Sequence, residues 1–278
     1  MQDRDRRRQQ FELERSLRKE ILCSSEAIRE ATIASAYERL FREFPDHSVF
    51  DPPLEERQRR GDLSAGLIAP LLEKSSRVLE IGCGRGDTLC ALTSLGHHVV
   101  GVDPSSQMVQ LCKDCGLDVR LGTVQCLDFP DESFHGVFCQ EVLEHLHPDD
   151  VPRFFMEAFR MLRPQGIFSV ETPNVTTGPQ DISRGFTARA EGLHLKEWAV
   201  SELIAQFEAT GFIGVKGLLS PQFLARRCAT LHRLTHVPAR AKQMQDAVLR
   251  LVPHLNLRTF FGKCLGLDDI FLFGRKPN

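Results

Sequence analysis

Val78-Leu79-Glu80-Ile81-Gly82-Cys83-Gly84-Arg85-Gly86-Asp87 is an apolar run with one carboxylate that passes directly into three alternating glycines. The run reads as a strand that delivers Glu80 to a tight turn. Gly82, Gly84 and Gly86 have no Cβ, so the turn can take positive φ and bring its backbone N–H groups up to a ligand. Downstream, His97-His98-Val99-Val100-Gly101-Val102-Asp103 reads as a second strand with an acid at its tip. In doubly wound folds an acid at that place hydrogen-bonds a ribose. A dinucleotide fingerprint, G-x-G-x-x-G, needs its third glycine at position 87, where this chain has Asp87.

Working outward from this stretch, strands are expected near residues 77–81, 98–103, 118–121, 134–139 and 166–171, with a helix over about 149–163. A helix over 198–211, a strand over 212–219 and a closing strand from Asp269 follow. Alternation of this kind predicts an α/β fold: a largely parallel sheet with helices on both faces and ligands beyond the carboxyl ends of the strands. Glu80, Asp103 and Glu141 fall at such ends. Residues 3–45 are helical in character, and Phe11, Leu13, Leu17, Ile21 and Leu22 form one apolar stripe among charges. That stripe needs a partner surface, as a cap on the core, a lid over an acceptor, or a homodimer contact. Asp51-Pro52-Pro53 then breaks the pattern and marks a linker. The expected organisation is a helical cap over 1–60, a core over 61–221, a basic helical insertion over 222–264 and a final core strand over 265–278.

The 278 residues suffice for one full core with additions, and the net charge of −2 gives no global electrostatic case for nucleic acid. Nine cysteines without framework spacing point to a reducing compartment. Cys112-x-x-Cys115 has no second pair to complete a zinc tetrad, and both cysteines read as small buried residues of a helix. The N-terminus lacks the apolar core of a secretory signal, and no run reaches the roughly eighteen apolar residues of a spanning helix, so a cytoplasmic location is expected. The insertion is locally basic: Arg226, Arg227, Arg233, Arg240, Lys242, Arg250, Arg258 and Lys263 stand against the single acid Asp246. Such segments meet membranes, nucleic acid or anionic substrates, but more commonly are solvated helices balanced by neighbours.

The glycines follow E-x-G-x-G-x-G. Together with Asp103, Leu127-Asp-Phe-Pro-Asp-Glu-Ser-Phe-His-Gly-Val-Phe138, Glu141-Val-Leu-Glu-His145 and Met161-Leu-Arg-Pro-Gln-Gly-Ile-Phe-Ser-Val-Glu-Thr-Pro-Asn174, they make the chain resemble the class I S-adenosylmethionine-dependent methyltransferases over roughly residues 75–220 and the last strand. The resemblance implies a Rossmann-like, seven-stranded sheet whose final antiparallel strand slots between the fifth and sixth. It implies that Glu80 orients the glycine loop and the methionine amine, that Asp103 accepts both ribose hydroxyls, and that Gly82, Gly84, Gly86 and Gln140 lie against the cofactor. Thr123 stands where many relatives carry an acid for the adenine amine, which leaves a backbone contact at Val124.

A helical turn from the end of the fourth strand would put Glu141, Glu144 and His145 on one side, since offsets of three and four share a face. Two carboxylates and an imidazole suit a hard divalent cation such as Mg²⁺. Gly192-Leu-His194-Leu-Lys-Glu197-Trp198 offers a second imidazole. The set Glu141, Glu144, His145 and His194 resembles the metal site of the small-RNA 3′-terminal 2′-O-methyltransferases, and ubiquinone-pathway O-methyltransferases share the E-x-x-E-H segment. There the metal would hold adjacent oxygens of a diol or catechol. The competing reading has no metal: the acids cap a helix or line the pocket, and His145, with Glu141 and His194 beside it, serves as general base. The leading expectation is O-methylation of a small hydroxylated molecule. An RNA 3′ end as acceptor, N-methylation of a small molecule, and cofactor binding without turnover are the alternatives.

Overall fold

The computed structural model describes residues 2–44, 53–125, 127–219, 235–265 and 268–278. Its apolar runs pair into one sheet of β1 (Arg77–Ile81), β2 (His98–Asp103), β3 (Val119–Leu121), β4 (Phe134–Gln140), β5 (Leu162–Pro173), β6 (Ile213–Leu219), β7 (Thr235–Pro238) and β8 (Asp269–Arg275). The order is β3-β2-β1-β4-β5-β8-β6-β7, parallel from β3 to β5, with β8 antiparallel to both its neighbours. The expected seven strands are therefore eight. Thr235-His-Val-Pro238, inside the segment read as a helical insertion, adds an antiparallel edge to β6. Its proline ends the strand at the sheet margin, where a missing donor costs no ladder bond.

The helices are α1 (Gln2–Leu22), α2 (Glu26–Glu43), α3 (Leu54–Ile68), α4 (Asp87–Ser94), α5 (Ser106–Asp114), α6 (Val151–Met161), α7 (Val200–Thr210), α8 (Ala239–Arg250) and α9 (Leu255–Leu265). Along the strands, side chains alternate between two cores. Leu79, Ile81, Val100, Val102, Val137, Cys139, Phe168 and Val170 pack with Phe154 and Phe155 of α6 and Phe207 of α7. Val78, Val99 and Phe138 pack with Ala65, Ile68, Leu89, Leu92 and Val109 from α3, α4 and α5. Burial of both alternating sets is why β1, β2 and β4 are nearly continuous apolar runs rather than alternating ones. Cys112 is buried as expected, but Cys115 is exposed at the helix end.

The N-terminal stripe finds its partner within the chain. Leu13, Leu17 and Ile21 pack on Ala36, Leu40 and Phe44 and on Leu193 and Leu195 of the long loop after β5. Phe11 stacks on Phe186 of the same loop, with ring centroids 4.8 Å apart and planes 5° from parallel. Arg226, Arg227 and Arg233 of the basic segment lie outside the described residues. No described helix is long and apolar enough to cross a membrane.

Candidate cofactor and acceptor site

The turn after β1 has the geometry its glycines allow. Gly82, Gly84 and Gly86 sit at φ +76°, +50° and +75°. Gly82 N and Cys83 N donate back to Val102 O of β2 at 2.8 and 3.1 Å, which ties the turn to the tip of the neighbouring strand. Asp103, at that tip, accepts from Gly84 N at 2.8 Å and from Ser105 N at 2.9 Å. Burial raises its pKa while those two N–H donors oppose the shift. A Cβ at Gly84 would meet no protein atom within 4 Å, so there is room beside Asp103.

Two orphaned oxygens border this space by sequence and strand position. Glu80 is buried, its Oε2 has no hydrogen-bond partner, and burial pushes its carboxyl well above the usual range despite a bond from Thr88. Thr123 Oγ1, after β3, is likewise buried without a partner. An unmet buried polar atom costs on the order of 1–3 kcal/mol, so a ligand offering donors or acceptors there is favoured. Val124 packs in the main core. Gln140, at the end of β4, accepts from Thr88 Oγ1 at 3.4 Å and donates to Glu171 of β5.

The expected helical turn at Glu141–His145 is a 3₁₀ turn over Leu143–His145, entered through Glu141 at φ +52°. A non-glycine residue in the left-handed region costs of order 1–3 kcal/mol and is retained where the surroundings enforce it. Here Glu141 N donates to Glu171 O at 3.0 Å, and Trp198 Nε1 donates to Leu143 O at 3.3 Å. Trp198 is thus a buried anchor for this turn. The turn faces the loop that carries His194. One donor atom from each of Glu144, His145 and His194 lies within 4.8 Å of the others. Glu141 is outside that trio, although Glu144 helps to raise its pKa.

The trio is oriented from behind. Glu144 is fully buried; Thr172 Oγ1 donates to its Oε2 at 2.8 Å, while Oε1 has no partner and lies 3.9 Å from His145 Nε2. His145 Nδ1 is 3.1 Å from both Leu193 O and Tyr37 Oη. A carbonyl can only accept, so Nδ1 carries the proton and Nε2 presents its lone pair. His194 Nδ1 is 3.1 Å from Glu197 Oε1, so in the neutral ring Nδ1 carries the proton and Nε2 is the acceptor. Carboxylate or carbonyl acceptors behind ligating imidazoles are the usual outer shell of metal centres.

Burial is the largest influence on the titration of these groups. Burial, then the neighbouring His194, drive His145 down to about 3, which keeps it a neutral imidazole and a feeble proton acceptor. Burial raises Glu144 against the opposing pull of His194 and Thr172. Glu141 keeps solvent contact but is hemmed in; that enclosure, then Glu144, Asp269 and Glu171, push its carboxyl well upward. For His194 burial acts downward, but Glu197 and Glu144 outweigh it and hold the imidazole above its ordinary value.

Several residues of this shell were not singled out from sequence. Glu14 of α1 accepts from Leu193 N at 3.2 Å, Arg18 donates to Leu195 O at 2.9 Å, and Tyr37 of α2 reaches His145. Glu197 had a signal, its i+3 spacing from His194. Asn174 is buried, donating to Asp246 Oδ1 at 3.0 Å. His147 is buried and accepts from Asp149 N at 3.2 Å as a turn cap.

The family model described as a methyltransferase domain matches residues 79–170. A protein of Mycolicibacterium smegmatis named a probable S-adenosylmethionine-dependent methyltransferase is 34% identical over 137 residues, 49% of this chain and 51% of its own length. A ubiquinone biosynthesis O-methyltransferase of Rhodopseudomonas palustris is 38% identical over 104 residues, 35% of this chain and 40% of its own. The chain spans about half the length of these relatives, or less. Among solved structures, the 1,6-didemethyltoxoflavin-N1-methyltransferase of Burkholderia thailandensis, with bound 1,6-didemethyltoxoflavin and S-adenosylhomocysteine, superposes with a TM-score of 0.54 at 17% identity over 92% of each chain, a likeness of fold. The matched segment runs from within β1 to within β5, and over it the chain is similar to S-adenosylmethionine-dependent methyltransferases.

Proposed function

We propose that the chain transfers the methyl group of S-adenosylmethionine to a hydroxyl oxygen of a small molecule with adjacent oxygens, and that Glu144, His145 and His194 would hold a divalent cation beside it. The observation that carries this is the buried, partnerless Oε1 of Glu144 beside two imidazoles whose rear nitrogens are both engaged. The name of the ubiquinone-pathway relative supports oxygen as the nucleophile. On the cofactor side, the room at Gly84 and the unmet Glu80 Oε2 and Thr123 Oγ1 suit a ligand with an amine, a sugar and a base.

A bound Mg²⁺ or similar ion lowers the pKa of an acceptor hydroxyl and fixes its geometry, so no strong protein base is required. The chain's own share is positioning. Glu144 brings charge, His145 and His194 bring neutral lone pairs, and Asp103 and the glycine turn hold the donor, which is most of what an already activated sulfonium needs. Glu141 stands at the strained end of β4, outside this set. An RNA end offers the same vicinal oxygens, but part of the basic surplus is spent internally: Lys242 is buried, and Arg250 pairs with Asp246 at 3.0 Å.

The test is transfer of labelled methyl from S-adenosylmethionine to catechols and vicinal diols, with Mg²⁺ or Mn²⁺ and after chelation. Expected is turnover that chelation abolishes and added ion restores, with loss in H194A. Turnover indifferent to chelation overturns the cation. Methylation confined to amines overturns the oxygen acceptor, and tight cofactor binding without transfer to any acceptor class, RNA ends included, points to a binding protein.

A further inference from the structure

Helix α8 has apolar residues on both sides. Its protein-facing side carries Ala239 and Leu249 together with Lys242, 1% exposed, and the buried Asp246, while Met244, Val248 and the capping Leu251 are 70, 65 and 81% exposed. Offsets of four and three put those apolar side chains in one row. A surface helix ordinarily turns its apolar stripe inward and its charges outward. Its rotation is fixed by satisfied polar contacts: Asp246 accepts from Asn174 Nδ2 and from Arg250 Nε, each at 3.0 Å. Lys242 Nζ donates to Asp269 O at 3.4 Å, with Glu171, Asp269, Asp268 and Asp246 around it. Turning the helix to bury its apolar row would break those pairs.

Helix α9 repeats the arrangement. Thr259 Oγ1 donates to Thr177 O at 3.0 Å and Gly262 abuts Thr177, so this side faces the protein. Leu257, Phe260 and Phe261 are exposed on the remainder. The outward charges of both helices are of one sign. From 239 to 265 the sole acid is Asp246, which is buried; Arg240 is exposed, Arg250 is exposed at its outer end while its Nε pairs with Asp246, and Arg258 is half-buried.

We propose that α8 and α9 form a docking surface for an anionic lipid bilayer, the apolar rows entering the acyl boundary and the arginines meeting the headgroups. Helices with an apolar face bordered by Arg and lacking exposed acids bind in this way, by buried area plus attraction to anionic lipid. A protein partner or a second copy would be expected to find acidic groups for the arginines to pair with, and the outward face offers charges of one sign only, beside neutral Gln243 and Asn256.

The experiment is co-sedimentation of the full chain with phosphatidylcholine vesicles, with and without phosphatidylglycerol. Expected is partition onto the anionic vesicles that falls with salt. M244S/V248S/L251S and F260S/F261S should each weaken it by at least about tenfold, since each buried methylene contributes about 0.8 kcal/mol. Arg240→Glu should remove the preference for anionic lipid. These exposed substitutions should leave thermal unfolding and S-adenosylhomocysteine binding as in the wild type. No partition, or equal partition by the serine variants, overturns the proposal. So does a wild-type dimer, by light scattering, that the serine variants split without any vesicle binding.

Discussion

A methyl group added at Gly84 separates ligand space from fold. The new Cβ meets no protein atom within 4 Å, so the fold loses only what an L-residue costs at φ +50°, about 1–2 kcal/mol. At Gly82, where φ is +76°, a Cβ would overlap Val142 Cγ2. Overpacking of about 1–3 kcal/mol on top of the same backbone cost gives roughly 2–5 kcal/mol. Gly84 N is bonded to Asp103 Oδ2, so the open space at Gly84 adjoins the acid expected to grip the cofactor's sugar. Gly84→Ala should therefore unfold at nearly the wild-type urea concentration yet bind S-adenosylhomocysteine at least about tenfold more weakly by calorimetry, a loss of roughly 1.4 kcal/mol or more. Gly82→Ala should lose stability first, and Val142→Ala added to it should recover part of the loss. Wild-type affinity in a folded Gly84→Ala protein would refute the placement of the cofactor. Equal stability of the two alanine variants would refute the steric argument at Val142.

Glu197→Gln keeps an acceptor for Gln180 N but removes the charge behind His194, and should weaken Mn²⁺ binding by about 10–100-fold while S-adenosylhomocysteine affinity stays unchanged. Unaltered Mn²⁺ affinity would count against Glu197 as an orienting group. Tyr37→Phe removes one hydroxyl contact to His145 and should cost about 1 kcal/mol of Mn²⁺ affinity, with calorimetry as the measure. The pH dependence has a definite sign. Glu141 and Glu144 have folded pKa values raised above the unfolded 4.5, so their contribution to stability is present below that value and is lost as pH rises through the folded values. His194, also raised, loses its contribution in the same direction above its unfolded 6.5. A divalent ion binds the deprotonated forms, so the rise in Tm given by Mn²⁺ should grow from pH 5 to pH 8; an increment independent of pH would contradict this.

β1, β2 and β4 were legible because each is an apolar run ended by a glycine or an acid, and the glycine turn because its chemistry is local. The stretch after β4 was legible in composition but not in conformation. Periodicity cannot tell an α-helical turn from the 3₁₀ turn of Leu143–His145, and the difference leaves Glu141 outside the trio of Glu144, His145 and His194. β7 was hidden for a related reason: Thr235-His-Val-Pro238 is too short to show alternation inside a segment dominated by its charges. The insertion's basic surplus could be counted from sequence. That Lys242 and Asp246 face inward while Met244 and Leu251 face outward could not, because it depends on Asn174 and Asp269, side chain and backbone from other elements.

The same dependence explains why the outer shell of the candidate centre was invisible. A glutamate beside an apolar stripe reads identically whether it faces water or another segment's backbone, and Glu14 does the latter, buried and raised in pKa by that burial as it accepts from Leu193 N. The stripe of α1 packs Leu193 and Leu195, Arg18 holds the carbonyls of His194 and Leu195 at 3.4 and 2.9 Å, and Tyr37 reaches across to His145. These partners are 108 to 179 positions apart in the chain, so no local pattern could have joined them. The loop of His194 has no helix or strand of its own from 175 to 199, and such a segment holds a fixed geometry only where its backbone groups are bound from outside. The helices before β1 supply part of that binding, beside the loop's own Asp181 and Ser183 and the bond from Lys196 N to Glu144 O. The spacing of His194 from Glu144 and His145 is therefore a property of the first forty residues as much as of the sheet.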